Sequence, residues 1–186
     1  LNQLKALGAS CDWPRTRFTM DPVCARAVHE AFFQLFQSDL IERGKRLVNW
    51  DPVTLTALAD DEVEMQDVDS FMWYLRYPLE HPIETNTGTL TTVTVATTRP
   101  ETMLGDTAIA INPADPRAKQ LVGTNVIVPI VNRTIPIIED DYVIMPGSGD
   151  EDEDPKAAFA SGFLKVTPAH DPNDWDIGKR HDLEVI

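Results

Sequence analysis

The stretch LTTVTVATTRPET, from Leu90 to Thr102, predicts a β-strand that ends in a polar bend. Valine and threonine both favour strands, and alternation from Val93 places the valines on one face and the threonines on the other. Arg99 stands before a proline, which pushes it towards an extended conformation. We therefore expect Thr98, Arg99 and Thr102 to be displayed together at the end of a strand, where ligand-binding groups often lie.

The stretch KVTPAHDPNDWD, from Lys165 to Asp176, also predicts a strand that ends in a bend marked by proline. Lys165 and Thr167 are two residues apart and share a strand face, and Asp171 followed by proline marks the start of a helix. Asp171 and Asp174 then occupy the cap and the third position of that helix, where carboxylates satisfy free backbone N–H groups. Beside a lysine and a threonine, the same carboxylates can instead bind an ammonium group.

The two stretches together predict a small polar pocket, because each brings hydroxyl groups beside a cation and a carboxylate. For the first stretch the alternative is a surface ion pair between Arg99 and Glu101, with threonines that simply favour a strand. For the second stretch the alternative is helix capping alone. The residues by themselves leave both alternatives open.

Short strand patterns recur through most of the chain and predict an α+β fold, built on a compact, mostly antiparallel β-barrel with flanking helices. These patterns cover residues 71–77, 90–98, 107–111, 125–130, 134–138, 142–145 and 163–167. A tight hairpin connection is predicted at Val131-Asn132-Arg133. Short helices are predicted at residues 116–122 and from Asp171 to about His181.

A helical segment is predicted to precede the barrel. Asp21-Pro22 supplies an N-cap and a first-turn proline, and Gly44 is a natural end for the helix. We expect its apolar stripe to pack in a core; the stripe comprises Val28, Phe32, Leu35, Phe36 and Leu40. The acidic, weakly patterned segment 54–69 indicates a domain boundary, with residues 1–66 as the helical segment and 67–186 as the barrel domain. We expect the barrel domain to continue beyond Ile186.

The composition limits the classes of function. The chain has 186 residues, enough for one core, and 16 basic against 30 acidic residues give a net charge of -14. That balance argues against a surface that wraps nucleic acid broadly, although a local basic pocket can still hold one nucleic-acid end. No apolar run is long enough to span a bilayer, and the cysteines show no disulfide or CxxC pattern. We expect a cytoplasmic protein with no membrane partner, and a solvated loop at Asp150–Asp154.

Other chemistries have weaker support in the sequence. His170, Asp171, Asp174 and His181 carry metal-binding groups, but their spacing matches no compact metal motif, so no metal site is predicted. A serine nucleophile lacks the G-x-S-x-G elbow. No Gly-rich loop is present to hold a nucleotide phosphate.

Two long motifs resemble the editing domain of the valyl-tRNA synthetase family, which belongs to class I. They are TTRPETMLGD at Thr97–Asp106 and KVTPAHDPNDWDIGKRH at Lys165–His181. Shorter matches, in the part adjoining the aminoacylation domain, are CDW at Cys11–Trp13, RFTMD at Arg17–Asp21 and RGKRLVNWDP at Arg43–Pro52. The related isoleucyl enzymes have a TTTPWT-like first motif, so Arg99 and Glu101 favour the valyl family.

The resemblance implies hydrolysis of threonine esterified to the terminal adenosine of valine tRNA. A pocket shaped for valine rejects threonine only about a hundredfold, an established figure for the valyl enzyme. A second pocket that hydrogen-bonds the hydroxyl accepts threonine and rejects valine, because valine leaves buried polar groups unpaired. An ester beside an ammonium is already reactive, so the implied mechanism orients a water molecule and uses no protein nucleophile.

The resemblance also implies the site residues. Asp174 is assigned to the substrate ammonium and Lys165 to the ester or the terminal ribose, and Thr98 helps to shape the site around them. The implied substrate-binding residues begin with Arg99, which contacts the terminal adenosine or its phosphate. Thr102 and Thr167 line the side-chain pocket, and Asp171 binds the substrate hydroxyl or orders the pocket. Thr97 is also implied as a substrate-binding residue.

The implied partners are the 3′ end of tRNA(Val) carrying threonine and the remainder of the synthetase chain. No cofactor is expected here, since ATP and Mg²⁺ belong to the aminoacylation domain of the parent enzyme, whose HIGH and KMSKS motifs are absent. The chain departs from the family pattern at Asp150–Gly162, usually a short connection, and at Trp175, usually tyrosine. The alternatives are a noncatalytic module that binds the tRNA 3′ end, the editing domain of the isoleucyl enzyme, and a metal-dependent hydrolase.

Overall fold

The computed structural model describes residues 1–85, 88–147 and 158–186. By compactness the chain divides into two units, Leu1–Arg46 and Leu47–Ile186. The boundary that composition predicts between residues 66 and 67 stays a prediction. The acidic run Asp150–Asp154 lies outside the described residues, and so does the solvated loop expected there.

The first unit contains α1 (Asn2–Ala6), a 3₁₀ turn (Trp13–Arg15) and α2 (Pro22–Gln37). Asp21 caps α2 as predicted, since its side chain accepts the backbone N–H of Cys24 at 2.8 Å. The predicted end at Gly44 is wrong. The helix ends at Gln37 because Asp39 turns into the left-handed region, with φ of 55°.

The apolar stripe of α2 is exposed, which corrects the prediction that it packs in a core. No residue of α2 is buried, and Phe32 and Phe36 are each 57% exposed. The first unit consists of one long helix with short turns, so it offers no second layer to cover the stripe. Among the described residues, no helix combines the length and the apolar character that crossing a membrane requires.

The second unit is built on strands. A small antiparallel hairpin consists of β1 (Asn49–Asp51) and β2 (Thr56–Leu58). The other strands are β3 (Trp73–Thr85), β4 (Gly88–Thr97), β5 (Ala108–Ile111), β6 (Asn125–Ile127), β7 (Thr134–Glu139) and β8 (Phe163–Val166). They form one curled sheet in the order β4-β3-β6-β7-β5-β8.

Helices and 3₁₀ turns connect and flank this sheet. They are a 3₁₀ turn at Asp60–Glu62, a second at Pro100–Gly105, α3 (Ala118–Leu121) and α4 (Pro172–Arg180). Neighbouring strands of the described sheet run antiparallel, except that β5 and β7 run parallel. The predicted α+β fold with a mostly antiparallel, barrel-like sheet and flanking helices is therefore confirmed.

The core lies on the inner face of the sheet. The alternation predicted for β4 is confirmed, because Val93 and Val95 are only 1% and 0% exposed. They belong to the main apolar cluster, together with side chains of β3, β5, β6 and β7. A smaller cluster packs Ile177 of α4 with Val166 of β8. This second cluster fixes α4 next to the strand that precedes it.

The structure confirms the predicted hairpin between β6 and β7 but not the strand predicted after β7. The hairpin between β6 and β7 is confirmed, with Asn132 at φ of 54° and its N–H donated to the carbonyl of Val128 at 2.9 Å. The strand predicted at Tyr142–Met145 is wrong. Asp140 accepts the N–H of Tyr142 on its side chain at 3.0 Å and that of Val143 on its carbonyl at 3.2 Å, which produces a turn instead.

Gly178 determines how closely α4 approaches the loop after β8. A Cβ at this position would lie 2.9 Å from Cγ and 3.0 Å from Cβ of Pro168, which are ring atoms with no freedom to rotate away. Overpacking of this kind costs about 1–3 kcal/mol, and the helix propensity gained offsets up to about 1 kcal/mol. We expect Gly178→Ala to lower the free energy of unfolding by up to about 2 kcal/mol.

Denaturant unfolding followed by circular dichroism measures this difference. Gly44→Ala is the matched control, because a Cβ at Gly44 meets no atom within 4 Å. If both variants unfold at the same denaturant concentration, the contact between Gly178 and Pro168 does not limit the packing of α4.

Candidate functional site

The candidate site lies between β4 and β8. These strands contact each other, although they stand at opposite ends of the hydrogen-bonding order of the sheet. A cleft of about 490 Å³ opens beside them. All the site residues implied by the sequence line this cleft, namely Thr97, Thr98, Arg99, Thr102, Lys165, Thr167, Asp171 and Asp174.

The bend after β4 is fixed by hydrogen bonds within the first motif. Oγ1 of Thr97 accepts the backbone N–H of Arg99 at 3.1 Å, and the carbonyl of Arg99 accepts the hydroxyl of Thr102 at 3.0 Å. The Arg99 side chain then reaches across the cleft, where Nη1 donates to the carbonyl of His170 at 2.9 Å. It also lies 3.4 Å from Glu101, and it remains 52% exposed. Arg99 thus links the two motifs at the rim of the cleft.

Lys165 lies deep in the site and joins the two motifs a second time. Its Nζ donates to Oγ1 of Thr102 and to Oγ1 of Thr167, each at 2.6 Å, and lies 3.4 Å from Oδ1 of Asp106. The side chain is only 8% exposed. An ammonium group has three N–H donors, and three protein oxygens surround this one.

Asp106 is the carboxylate at the centre of this network, and it is fully buried. Its Oδ1 accepts the hydroxyl of Thr167 at 2.6 Å, and its Oδ2 accepts the hydroxyl of Tyr77 at 2.6 Å. Burial raises the pKa of Asp106, while the charge of Lys165 and these hydrogen bonds oppose the rise. Burial also raises the pKa of Tyr77, so its hydroxyl stays protonated and donates.

The N-terminal end of α4 supplies the carboxylates on the other side of the cleft. Asp171 caps the helix, since its Oδ1 accepts the N–H groups of Asn173 at 2.8 Å and Asp174 at 3.2 Å. Asp174 is only 7% exposed, and its Oδ2 accepts the N–H of Thr167 at 2.8 Å. For its Oδ1 the described residues offer no hydrogen-bond donor, and Asp174 lines the cleft. Among the described residues, Asp174 therefore has a hydrogen-bond donor on one carboxylate oxygen and none on the other.

The environment of Asp174 alters its acidity. Burial, helped by the nearby charge of Asp171, raises the pKa of Asp174 to about 6, although the hydrogen bond from Thr167 acts in the opposite direction. Above that pH the group is a carboxylate in a poorly solvated position. Such a carboxylate attracts a cation more strongly than an exposed one does.

The C-terminal end of α4 is held away from these carboxylates. Asp140 lies 2.9 Å from Nη2 of Arg180 and 3.0 Å from Nε2 of His181. Burial acts to raise the pKa of Asp140, but the N–H of Tyr142 and the Arg180 guanidinium outweigh it and lower that pKa. Among the described residues, no group of three or more His, Cys, Asp or Glu side chains is placed to hold a metal ion. The metal alternative based on His181 and the N-terminal end of α4 therefore finds no support in the geometry.

The chain is similar to a known protein family over most of its length. Residues 1–148 match the family model described as tRNA synthetases class I (I, L, M and V). The chain belongs to this family. It is 52% identical over 185 residues to the valine--tRNA ligase of Brucella suis biovar 1 (strain 1330), covering 100% of this chain and 19% of that relative. The valine--tRNA ligase of Protochlamydia amoebophila (strain UWE25) is also 52% identical, over 186 residues that make up 100% of this chain and 18% of the relative.

The chain therefore spans about a fifth of the length of these class I synthetases, 19% for the first of them. A solved structure is also similar, the crystal structure of the ternary complex of Agrobacterium radiobacter K84 agnB2 LeuRS-tRNA-LeuAMS. It is 18% identical with a TM-score of 0.46, and the match covers 100% of this chain and 30% of that one. This similarity is too weak to carry an argument about the site.

The buried network of this class I synthetase chain includes Asp106 and Tyr77, which the sequence does not predict as site residues. Asp106 is the last residue of the first motif, two positions before the first residue of the buried strand β5, and a carboxylate in that position is a detectable signal of a buried partner. Tyr77 carries no such signal, since it is one aromatic residue in an alternating strand, 29 residues from Asp106. Only the fold brings the two together.

Proposed function

We propose that this region is the editing site of a valine-tRNA ligase, and that it hydrolyses the ester of threonine wrongly attached to tRNA(Val). The observation that carries the proposal is Asp174, which lines the cleft together with the threonines of both motifs and has a protein donor among the described residues on only one carboxylate oxygen. The 52% identity to valine--tRNA ligases over the whole chain supports the choice of tRNA. The partners would be the 3′ end of the mischarged tRNA and the rest of the synthetase chain, in the cytoplasm.

Asp174 would bind the α-ammonium of the esterified amino acid. The hydrogen bond from Thr167 fixes one carboxylate oxygen, so the other points at a defined place in the cleft. Holding the ammonium there orients the ester for attack by water, which contributes to rate through positioning. Thr98 would help to shape the cleft around the ester, and no cofactor is required for this step. ATP and Mg²⁺ would serve the aminoacylation domain of the whole enzyme.

The hydroxyl groups of Thr102 and Thr167 would read the substrate side chain. Each donates its proton inwards, to the carbonyl of Arg99 and to Asp106 respectively, and each accepts a hydrogen bond from Lys165. A hydroxyl oxygen has two lone pairs, so one acceptor site on each threonine remains. A substrate hydroxyl satisfies such a site, whereas the methyl group of valine leaves it unpaired.

The other predicted residues would bind the tRNA end or order the site. Arg99, half exposed at the rim, would contact the terminal adenosine or its phosphate, because an exposed guanidinium suits a phosphate. Thr97 would hold the bend that carries Arg99. Asp171 would order the pocket through the N-terminus of α4 or bind the substrate hydroxyl. Lys165 would hold the ester or ribose region while it fixes both threonines.

The pKa of Asp174 predicts how deacylation depends on pH. Protonation removes the charge that binds the ammonium, so we expect the enzyme-catalysed rate to fall as the pH drops through about 6. Asp171→Asn should move this decline to lower pH, because the nearby charge of Asp171 helps to raise the pKa. Single-turnover rates between about pH 5 and pH 8 bracket this decline, and they are corrected for spontaneous ester hydrolysis. A profile that is flat through this range would exclude Asp174 as the ammonium ligand.

The full-length enzyme incubated with Thr-tRNA(Val) and Val-tRNA(Val), with and without a chelator, tests the proposed function. Selective loss of the threonine ester that the chelator does not affect is the expected result. Binding of both tRNAs without loss of ester identifies a noncatalytic module, and sensitivity to the chelator identifies a metal-dependent hydrolase. Val-tRNA(Ile) is the control for an isoleucyl editing domain, which would hydrolyse that substrate in preference.

A further inference from the structure

We propose that Tyr77 is a positioning residue for this site, which acts through Asp106 on the Lys165 ammonium and the Thr167 hydroxyl. The inference rests on the proposed function and adds a residue that lies outside the cleft and outside both motifs. Tyr77 belongs to β3 and is 0% exposed. It therefore contacts no substrate, and its effect on the reaction must pass through a neighbour.

The contacts form a continuous chain from the core to the cleft. The hydroxyl of Tyr77 donates to Oδ2 of Asp106 at 2.6 Å. The other oxygen of Asp106 accepts the hydroxyl of Thr167 at 2.6 Å and lies 3.4 Å from Nζ of Lys165. Lys165 in turn donates to Thr102 at 2.6 Å. Both threonines that face the cleft are thus tied to one buried carboxylate, and Tyr77 is the donor that holds its far oxygen.

This arrangement gives the Tyr77 hydroxyl a role that its aromatic ring does not have. The ring packs in the main apolar cluster with Val93 and Val95, and phenylalanine fills the same space. The hydroxyl fixes the rotation of the Asp106 carboxylate, because with both oxygens engaged the group has a single orientation. Without it, Oδ1 is free to turn away from Thr167.

The backbone of Asp106 is held independently of Tyr77. Nη2 of Arg133 donates to the carbonyl of Asp106 at 2.7 Å and to the carbonyl of Leu104 at 2.9 Å. Removal of the Tyr77 hydroxyl therefore leaves the main chain of the first motif in place. The change is confined to the carboxylate and to the groups that it positions.

The test is Tyr77→Phe in the full-length synthetase, with single-turnover hydrolysis of Thr-tRNA(Val) as the readout. We expect the deacylation rate at saturation to fall roughly tenfold to a hundredfold, the loss typical of misplaced catalytic groups. KM for the mischarged tRNA and the rate of valine attachment should not change. Thr124→Val is the matched control, since it also removes one hydroxyl. That hydroxyl donates to the carbonyl of Leu121 at 2.6 Å, and Thr124 does not line the cleft.

A double variant separates positioning from a general loss of stability. If Tyr77 acts through Asp106, then Tyr77→Phe added to Asp106→Asn lowers the rate no further than Asp106→Asn alone. A second full loss in the double variant, or a Tyr77→Phe rate equal to that of Thr124→Val, overturns the inference. An Asp106→Asn enzyme that hydrolyses Thr-tRNA(Val) at the wild-type rate also overturns the inference. This result can be obtained even if the Tyr77→Phe variant does not fold. A wild-type enzyme that leaves Thr-tRNA(Val) intact overturns the proposed function and this inference together.

Discussion

Asp174→Ala should abolish deacylation of Thr-tRNA(Val) by the full-length synthetase while attachment of valine to tRNA continues. Asp174 is the carboxylate that we assign to the substrate ammonium, and it is only 7% exposed. Hydrogen bonds to charged groups are worth about 1.5–3 kcal/mol, and the variant also leaves the N–H of Thr167 without its acceptor. Together these losses predict a rate reduction of about a hundredfold or more.

Two further variants identify the cause of that loss. Asp174→Asn keeps an acceptor for the N–H of Thr167 but removes the charge, so it should lose most of the activity with little effect on stability. Asp176→Ala is the matched control, because Asp176 is an exposed carboxylate of the same helix that does not line the cleft. Near-normal hydrolysis by Asp174→Ala would sink the assignment, and an equal loss in Asp176→Ala would point to the helix and not to the carboxylate.

The sequence predicted the parts of the site that depend on local rules. Strand alternation placed Lys165 and Thr167 on one face, and in the structure Nζ and Oγ1 of these residues lie 2.6 Å apart. The cap at Asp171 follows from its side chain and the proline after it. That the two motifs meet required an assumption about topology, which the similar order of residues in each motif suggested.

The features that the sequence could not supply depend on distant parts of the chain. β3 continues to Thr85 although Pro78 and Pro82 interrupt its pattern, and the sheet absorbs this with a shift of register between Pro78 and Ile83. The parallel pairing of β5 with β7 depends on the whole sheet order. The exposure of the α2 stripe depends on which elements surround the helix. Periodicity identifies an apolar face but not the surface that covers it.

The buried network satisfies the charges beneath the site. Asp106 and Lys165 face each other in the interior, and burial of charges is costly unless hydrogen bonds satisfy them. Here Tyr77, Thr102 and Thr167 supply those bonds. The same hydroxyl groups that would read the substrate thus stabilise the ion pair beneath them. Specificity and stability should consequently be hard to change separately at these positions.

Lys165→Met should lower the free energy of unfolding of the chain by about 3–5 kcal/mol, the loss typical when one partner of a buried ion pair is removed. Methionine replaces the length of the side chain but leaves Asp106, which is 0% exposed, without its cation. Denaturant unfolding followed by circular dichroism measures the change. Lys119→Met is the control, because Lys119 is an exposed lysine of α3. Equal effects of the two variants would show that the buried pair contributes nothing to stability.

The pH dependence of the Lys165→Met defect follows from the pKa of Asp106. Burial raises that pKa above its unfolded value of 3.8, and loss of the Lys165 charge removes a group that opposes the rise. The folded-state pKa is raised in both proteins but is higher in the variant, so the variant loses stability with rising pH over a window that extends to higher pH than that of the wild type. The defect should therefore be largest at neutral pH and smaller in mild acid. Adding Asp106→Asn should recover much of the loss at neutral pH, because it removes the unpaired charge.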